Sequence, residues 1–70
     1  MPVTMVNAGT TVIIQRIMGT DDVRQHLAEL GFVVGEKITV VSNNHGNVIL
    51  QVKDARIALD AKMANRVITA

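Results

Sequence analysis

The sequence predicts a mostly β chain: a small barrel of about five short strands with one α-helix inserted after the first. Three observations carry this reading. The chain has 70 residues, which is one domain's worth, residues 1–70. Only one segment, 21–30, places its apolar residues at helical spacing. The other apolar residues fall into short β-branched runs, several at period two, separated by turn formers. Strands this short and this few cannot build a two-layer sandwich, whereas curling into a barrel hides their edges and encloses a single core.

Residues 1–10 read as irregular, because Pro2 and the pair Ala8-Gly9 interrupt any pattern. Residues 11–17, Thr-Val-Ile-Ile-Gln-Arg-Ile, are β-branched and read as a strand that Met18-Gly19 ends. The helix follows over 21–30. Thr20 can cap it through its hydroxyl, and Asp21 and Asp22 sit where the helix dipole favours negative charge. Val23, Leu27 and Leu30 form one apolar stripe. Gly31 suits the left-handed position just past the end, with Phe32 folding back onto Leu27. The helix is expected over one open end of the barrel, with Phe32 as the largest core side chain.

After Gly35 the period changes to two. Ile38 and Val40 alternate with Lys37 and Thr39 across residues 36–42, and the run 42–47, Ser-Asn-Asn-His-Gly-Asn, is rich in turn formers. Val48, Leu50 and Val52 share one face of 48–53. Asp54 marks a tight reversal, and Ala55, Ile57 and Leu59 share one face of 55–59. Residues 36–59 therefore read as a three-stranded meander. Asp60 can cap one helical turn across 61–64, and residues 66–69 close the chain as a last short strand.

Composition bounds the function. Hydrophobic residues make up 49% and the mean hydropathy is +0.32, rich for so short a chain. A tiny barrel needs many aliphatics simply to build its core; spare apolar surface for a partner is the second reading. The absence of Cys excludes a disulfide framework, a thiolate zinc site and a Cys-ligated iron–sulfur cluster, and it fits a reducing compartment. The start, Met1-Pro2-Val3-Thr4, lacks the basic region of a signal peptide, and no apolar run approaches the roughly 18 residues of a membrane span. The expectation is a cytoplasmic protein without direct membrane insertion.

The net charge of +1 comes from seven scattered basic and six acidic residues, so no cluster would attract nucleic-acid phosphates. Phe32 is the sole aromatic, which leaves no base-stacking platform. Catalytic chemistry is likewise unprovided: Ser42 is the only serine, in a turn, and no phosphate-binding GxxxxGK[ST] loop is present. Gly31 and Gly35 follow a helix instead of preceding one, so they read as turn glycines. The reading is therefore a non-enzyme with no cofactor and no small-molecule substrate.

One constellation suggests metal. Asp22, His26 and Glu29 recur at i, i+4 and i+7, in a stripe beside the apolar one. Two carboxylates and an imidazole suit Fe(II), Mn(II) or Zn(II). A solvated helix face is the simpler account, because three exposed ligands without supporting hydrogen bonds hold a metal weakly. His45, in its polar turn, is a lesser ligand candidate. For partner contact the candidates are Arg24, Gln25 and Ala28 on the exposed side of the helix, together with His45 and the Asn43–Asn47 turn.

The order of segments resembles a known family. The telling ones are Leu30-Gly31-Phe32-Val33-Val34-Gly35 after the helix, Arg56-Ile57-Ala58-Leu59, and Ala64-Asn65-Arg66-Val67-Ile68-Thr69 at the close. Over essentially its whole length the chain resembles the FeoA family, small SH3-like proteins of bacterial ferrous-iron uptake. It also resembles the C-terminal domain of iron-dependent repressors of the diphtheria-toxin-repressor type. Val34 stands where the family commonly has proline, Asp54-Ala55 where a glycine often marks the hairpin, and Thr69 where the final valine is usual. Asp tolerates the left-handed conformation such a turn would require.

The resemblance implies an SH3-like barrel and an accessory role on the cytoplasmic side of FeoB, a membrane iron transporter with a GTP-binding domain. A partly apolar face of barrel and helix would dock there. The alternative it implies is a metal-ion-sensing module akin to the repressor domain. A third reading, a regulator binding a Pro-rich segment, conflicts with the lack of Trp and Tyr. Shared fold alone carries no function.

Overall fold

Five antiparallel strands form where the β-branched runs lie: β1 (Thr11–Ile17), β2 (Lys37–Asn43), β3 (Asn47–Val52), β4 (Ala55–Asp60) and β5 (Val67–Thr69). Helix α1 (Asp21–Glu29) follows β1, and the one-turn helix α2 (Ala61–Ala64) links β4 to β5. This computed structural model describes every residue except His45 and Gly46.

The sheet order is β4-β3-β2-β1-β5. Its mostly β, SH3-like character matches the expectation, but the sheet does not close into a barrel, since β4 and β5 are its outer strands and are not paired. Two short helical segments stand between them. The one is α2, which packs on β3 and β4; the other is a 3-10 turn, Val3–Met5, which packs on α2 and β5. Register shifts between Ile14 and Arg16 in β1 and between Val40 and Ser42 in β2 add the local bend and twist that bulges bring to a narrow sheet.

Period two decides which side chains go inward. Ile38 and Val40 of β2, Val48, Leu50 and Val52 of β3, and Leu59 of β4 are buried in one cluster with Ile14, Leu27, Phe32 and Val67. The first ten residues are more ordered than their pattern suggests. Val3 and Val6 are buried, and Pro2 bridges to Ile68. The segment is held from outside itself: the Asn43 side-chain amide donates to the carbonyls of Thr4 and Val6, both at 3.0 Å. Thr69 is fully buried, and its hydroxyl donates to the Met1 carbonyl at 3.1 Å. The one buried polar side chain among the described residues is thereby satisfied.

Helix α1 starts and stops where its local chemistry dictates. The Thr20 hydroxyl accepts from the Val23 N–H at 3.4 Å. At the other end Gly31 has φ +106°. Its N–H donates to the Ala28 carbonyl at 3.0 Å, and the Phe32 N–H donates to the Leu27 carbonyl at 2.9 Å. These two bonds make a Schellman cap, and they drop the Phe32 ring beside Leu27 in the core. Asp60 caps α2 as expected, accepting from the Met63 N–H at 2.7 Å. The β3–β4 reversal differs from expectation: the left-handed residue is Lys53 (φ +54°), not Asp54. The turn between the Val52–Ala55 pair has two residues, and its first position takes the positive φ.

Candidate functional site

The residues proposed as metal ligands do not converge. Asp22, His26 and Glu29 are all exposed on α1. With a rise of about 1.5 Å per residue, the first and last lie roughly 10 Å apart along the axis. Among the described residues no three His, Asp or Glu side chains are grouped closely enough to hold a metal ion. The three weak candidates thus share a helix stripe without being grouped, the arrangement of a solvated helix face. His45 lies outside the described residues. Asn43, part of the turn put forward for contact, has its amide engaged internally on Thr4 and Val6.

The contact candidates on α1 fare differently. Arg24, Gln25 and Ala28 are all exposed. Arg24 and Ala28 form one wall of a cleft of about 230 Å³, while Gln25 does not line it. Arg16 and Ile17, at the end of β1, line it too, and the exposed loop residues Val33 and Val34 complete its rim. Phe32 is itself fully buried and backs the floor from beneath. A second, more open cleft of about 610 Å³ adjoins it, running past Gln15, Gly35 and Ile68, and the two share Arg16 and Val34.

Local bonding explains why this rim stands out from the core. The Schellman cap reverses the chain at Gly31 and sends Phe32 inward, and period-two burial resumes only at Ile38. Between them the Gly35 N–H donates to the Ile14 carbonyl at 2.8 Å and the Glu36 N–H to the Val33 carbonyl at 3.1 Å. The loop is pinned to β1 with Val33 and Val34 outward, 42% and 65% exposed. Sequence reasoning missed Arg16, Ile17, Val33 and Val34. The available signal was Val33-Val34 itself, two β-branched apolar residues between turn glycines, where neither strand nor helix periodicity assigns them to a core.

Comparison with known proteins places the fold in a wider group. The family model described as the FeoA domain matches residues 1–69. A candidate Fe(2+) transport protein A of Methanocaldococcus jannaschii is 29% identical over 66 residues, covering 94% of this chain and 80% of that protein. A crystal structure of an iron uptake regulatory protein, FeoA, superposes with TM-score 0.92 at 28% identity, covering 99% of this chain and 93% of that one. The zinc-complexed FeoA of Stenotrophomonas maltophilia, described as a prokaryotic SH3 domain protein, gives TM-score 0.85 at 26% identity, covering 100% and 89%. The chain also matches part of the T. acidophilum repressor IdeR, with TM-score 0.87 at 26% identity over 99% of this chain but 32% of that one.

Proposed function

This chain belongs to the FeoA family, and from that premise we propose that it is an accessory protein of ferrous-iron uptake that docks on the cytoplasmic part of the GTP-dependent transporter FeoB. A role in ferrous-iron transport comes with the family, which is one of accessory transport proteins and not of known enzymes. The observation that carries the docking reading is the family match over essentially the whole chain. The groove supports it. Its rim is apolar and exposed and its clefts are open to solvent, as suits a protein surface better than an enclosed small molecule. Such docking would act by binding one conformation of the transporter's cytoplasmic part better than another, which is the only way a bound partner shifts an equilibrium.

Co-purification tests this. The tagged chain is expressed in its own host at native level, membranes are mildly solubilised, and retained proteins are identified by mass spectrometry. Recovery of a GTP-binding membrane iron transporter, lost in Arg24→Glu, is the expected result. A chain found only in the soluble fraction, with no transporter retained, would overturn the reading.

A metal-sensing module is the second reading, favoured by the zinc-complexed relative and by the shared fold with a repressor. The exposed, separated Asp22, His26 and Glu29 would then supply ligands only singly or with a partner's groups. Anaerobic isothermal titration with Fe(II) or Mn(II) decides it: saturable binding in the micromolar range is its requirement, and a flat titration removes it.

A further inference from the structure

We infer that the groove between β1, α1 and the Val33–Val34 loop receives an acidic, apolar peptide segment of a protein partner. The inference deepens the docking reading by naming its surface, and it rests on that reading for the partner being a protein.

Charge comes first. The two adjoining clefts are lined by two arginines, Arg16 on β1 and Arg24 on α1, and by no Asp or Glu. The chain as a whole is nearly neutral, at +1, so this basic character is local to the groove. The Arg16 guanidinium donates to the Met18 thioether at 3.9 Å, a weak acceptor that a carboxylate would readily displace. Guanidinium forks are the side chains best matched to a carboxylate's two oxygens.

Shape and apolar content come second. Val34 and Val33 present branched side chains to solvent in the same cleft as those arginines. Their loop is fixed by the Gly35-to-Ile14 and Glu36-to-Val33 backbone bonds, so little conformational freedom is lost on binding. The two clefts adjoin, sharing Arg16 and Val34, so their linings run from Ala28 on α1 past β1 to Ile68 on β5. An extended segment with an apolar side chain flanked by carboxylates satisfies all of these features. A Pro-rich ligand does not, because the groove exposes no aromatic ring.

The test has two arms, each using the full chain. In the first, the isotopically labelled protein is titrated with a blocked peptide alternating Glu and Leu, and separately with its Lys-and-Leu counterpart. Expected are amide shifts confined to residues 16–17, 24–28 and 32–35 with the acidic peptide alone. Affinity should fall on the order of tenfold in Arg24→Glu and in Val34→Asp, and stay unchanged in Arg56→Glu, which lies on β4 outside both clefts. Equal response to both peptides, shifts mapping elsewhere, or indifference to the groove substitutions would overturn the inference. Arg24 and Val34 are exposed, and dispersed amide spectra confirm that each variant folds.

The second arm replaces the peptide with the soluble cytoplasmic part of the host's FeoB. Binding that the same two substitutions weaken supports both readings. Binding that ignores them overturns the groove and leaves the docking reading standing. No binding by the unaltered chain overturns the docking reading, and the peptide arm then decides the groove by itself.

Discussion

Lys53 sits at φ +54°, a region that costs an ordinary L-residue about 1–2 kcal/mol. The β3–β4 turn needs that conformation at its first position, and glycine adopts it without strain. Lys53→Gly should therefore raise stability by about 0.5–1 kcal/mol, after the greater freedom glycine gains in the unfolded chain is subtracted. In a domain of this size about 1 kcal/mol is worth roughly 4–8 °C in Tm. Thermal unfolding followed by circular dichroism checks it, and a midpoint that falls would show that the Lys53 backbone is unstrained. Asn43 is the opposite case, a residue already well used. Its amide makes two bonds, at 3.0 Å each, to carbonyls of the N-terminal segment. Asn43→Ala leaves both without this donor and should cost about 1–2 kcal/mol in urea unfolding. No loss would mean that water replaces the amide freely. The chemistry of Asn43 suggested a turn residue, and nothing local in the sequence shows that its partners lie nearly forty positions earlier.

At the scale of elements, the two helix starts are capped alike but not equally. Asp60 accepts from the Met63 N–H at 2.7 Å, while Thr20 accepts from Val23 at 3.4 Å. Asp60→Ala should cost about 1 kcal/mol or more and Thr20→Ala only about 0.5 kcal/mol, the lower end for cap removal. Denaturant midpoints of the two variants, measured side by side, test this order; a reversal would mean that bond length does not track cap strength here. Both caps, the Schellman stop at Gly31 and the inward Phe32 were legible in the sequence, because each is written within one helical turn of its residue. The five strands were legible for a similar reason, since alternation is local. The 3-10 turn Val3–Met5 was not: three residues carry no periodicity, and their order comes from Pro2 bridging to Ile68 and from Asn43. The groove was half legible. Arg24 and Ala28 could be placed on an exposed helix face, but Arg16, Val33 and Val34 join them only in the folded chain, where the Gly35-to-Ile14 bond holds the loop on β1.

At the scale of the whole molecule, the N-terminal segment does the work that closing the barrel would have done. The sheet leaves β4 and β5 unpaired with each other. Val3 and Val6 fill the core on that side, at 0% and 5% exposure, with Val3 in a turn that packs on α2 and β5. Burying a valine side chain is worth about 1.5–3 kcal/mol as an upper estimate. At roughly 0.05–0.15 kcal/mol per residue, a chain of this length holds only about 4–10 kcal/mol in all. Deleting residues 1–6 removes both valines, the acceptors of the Asn43 amide and the Met1 carbonyl that satisfies buried Thr69. Those losses together rival the whole stability. The truncated chain should show no cooperative urea transition and a collapsed amide spectrum. Val3→Ala, which keeps the backbone bonds, should unfold cooperatively with a loss of about 2 kcal/mol. If the truncated chain instead unfolds at the parent midpoint, the segment is only tethered to the fold, and the open side of the sheet must be sealed by α2 without it.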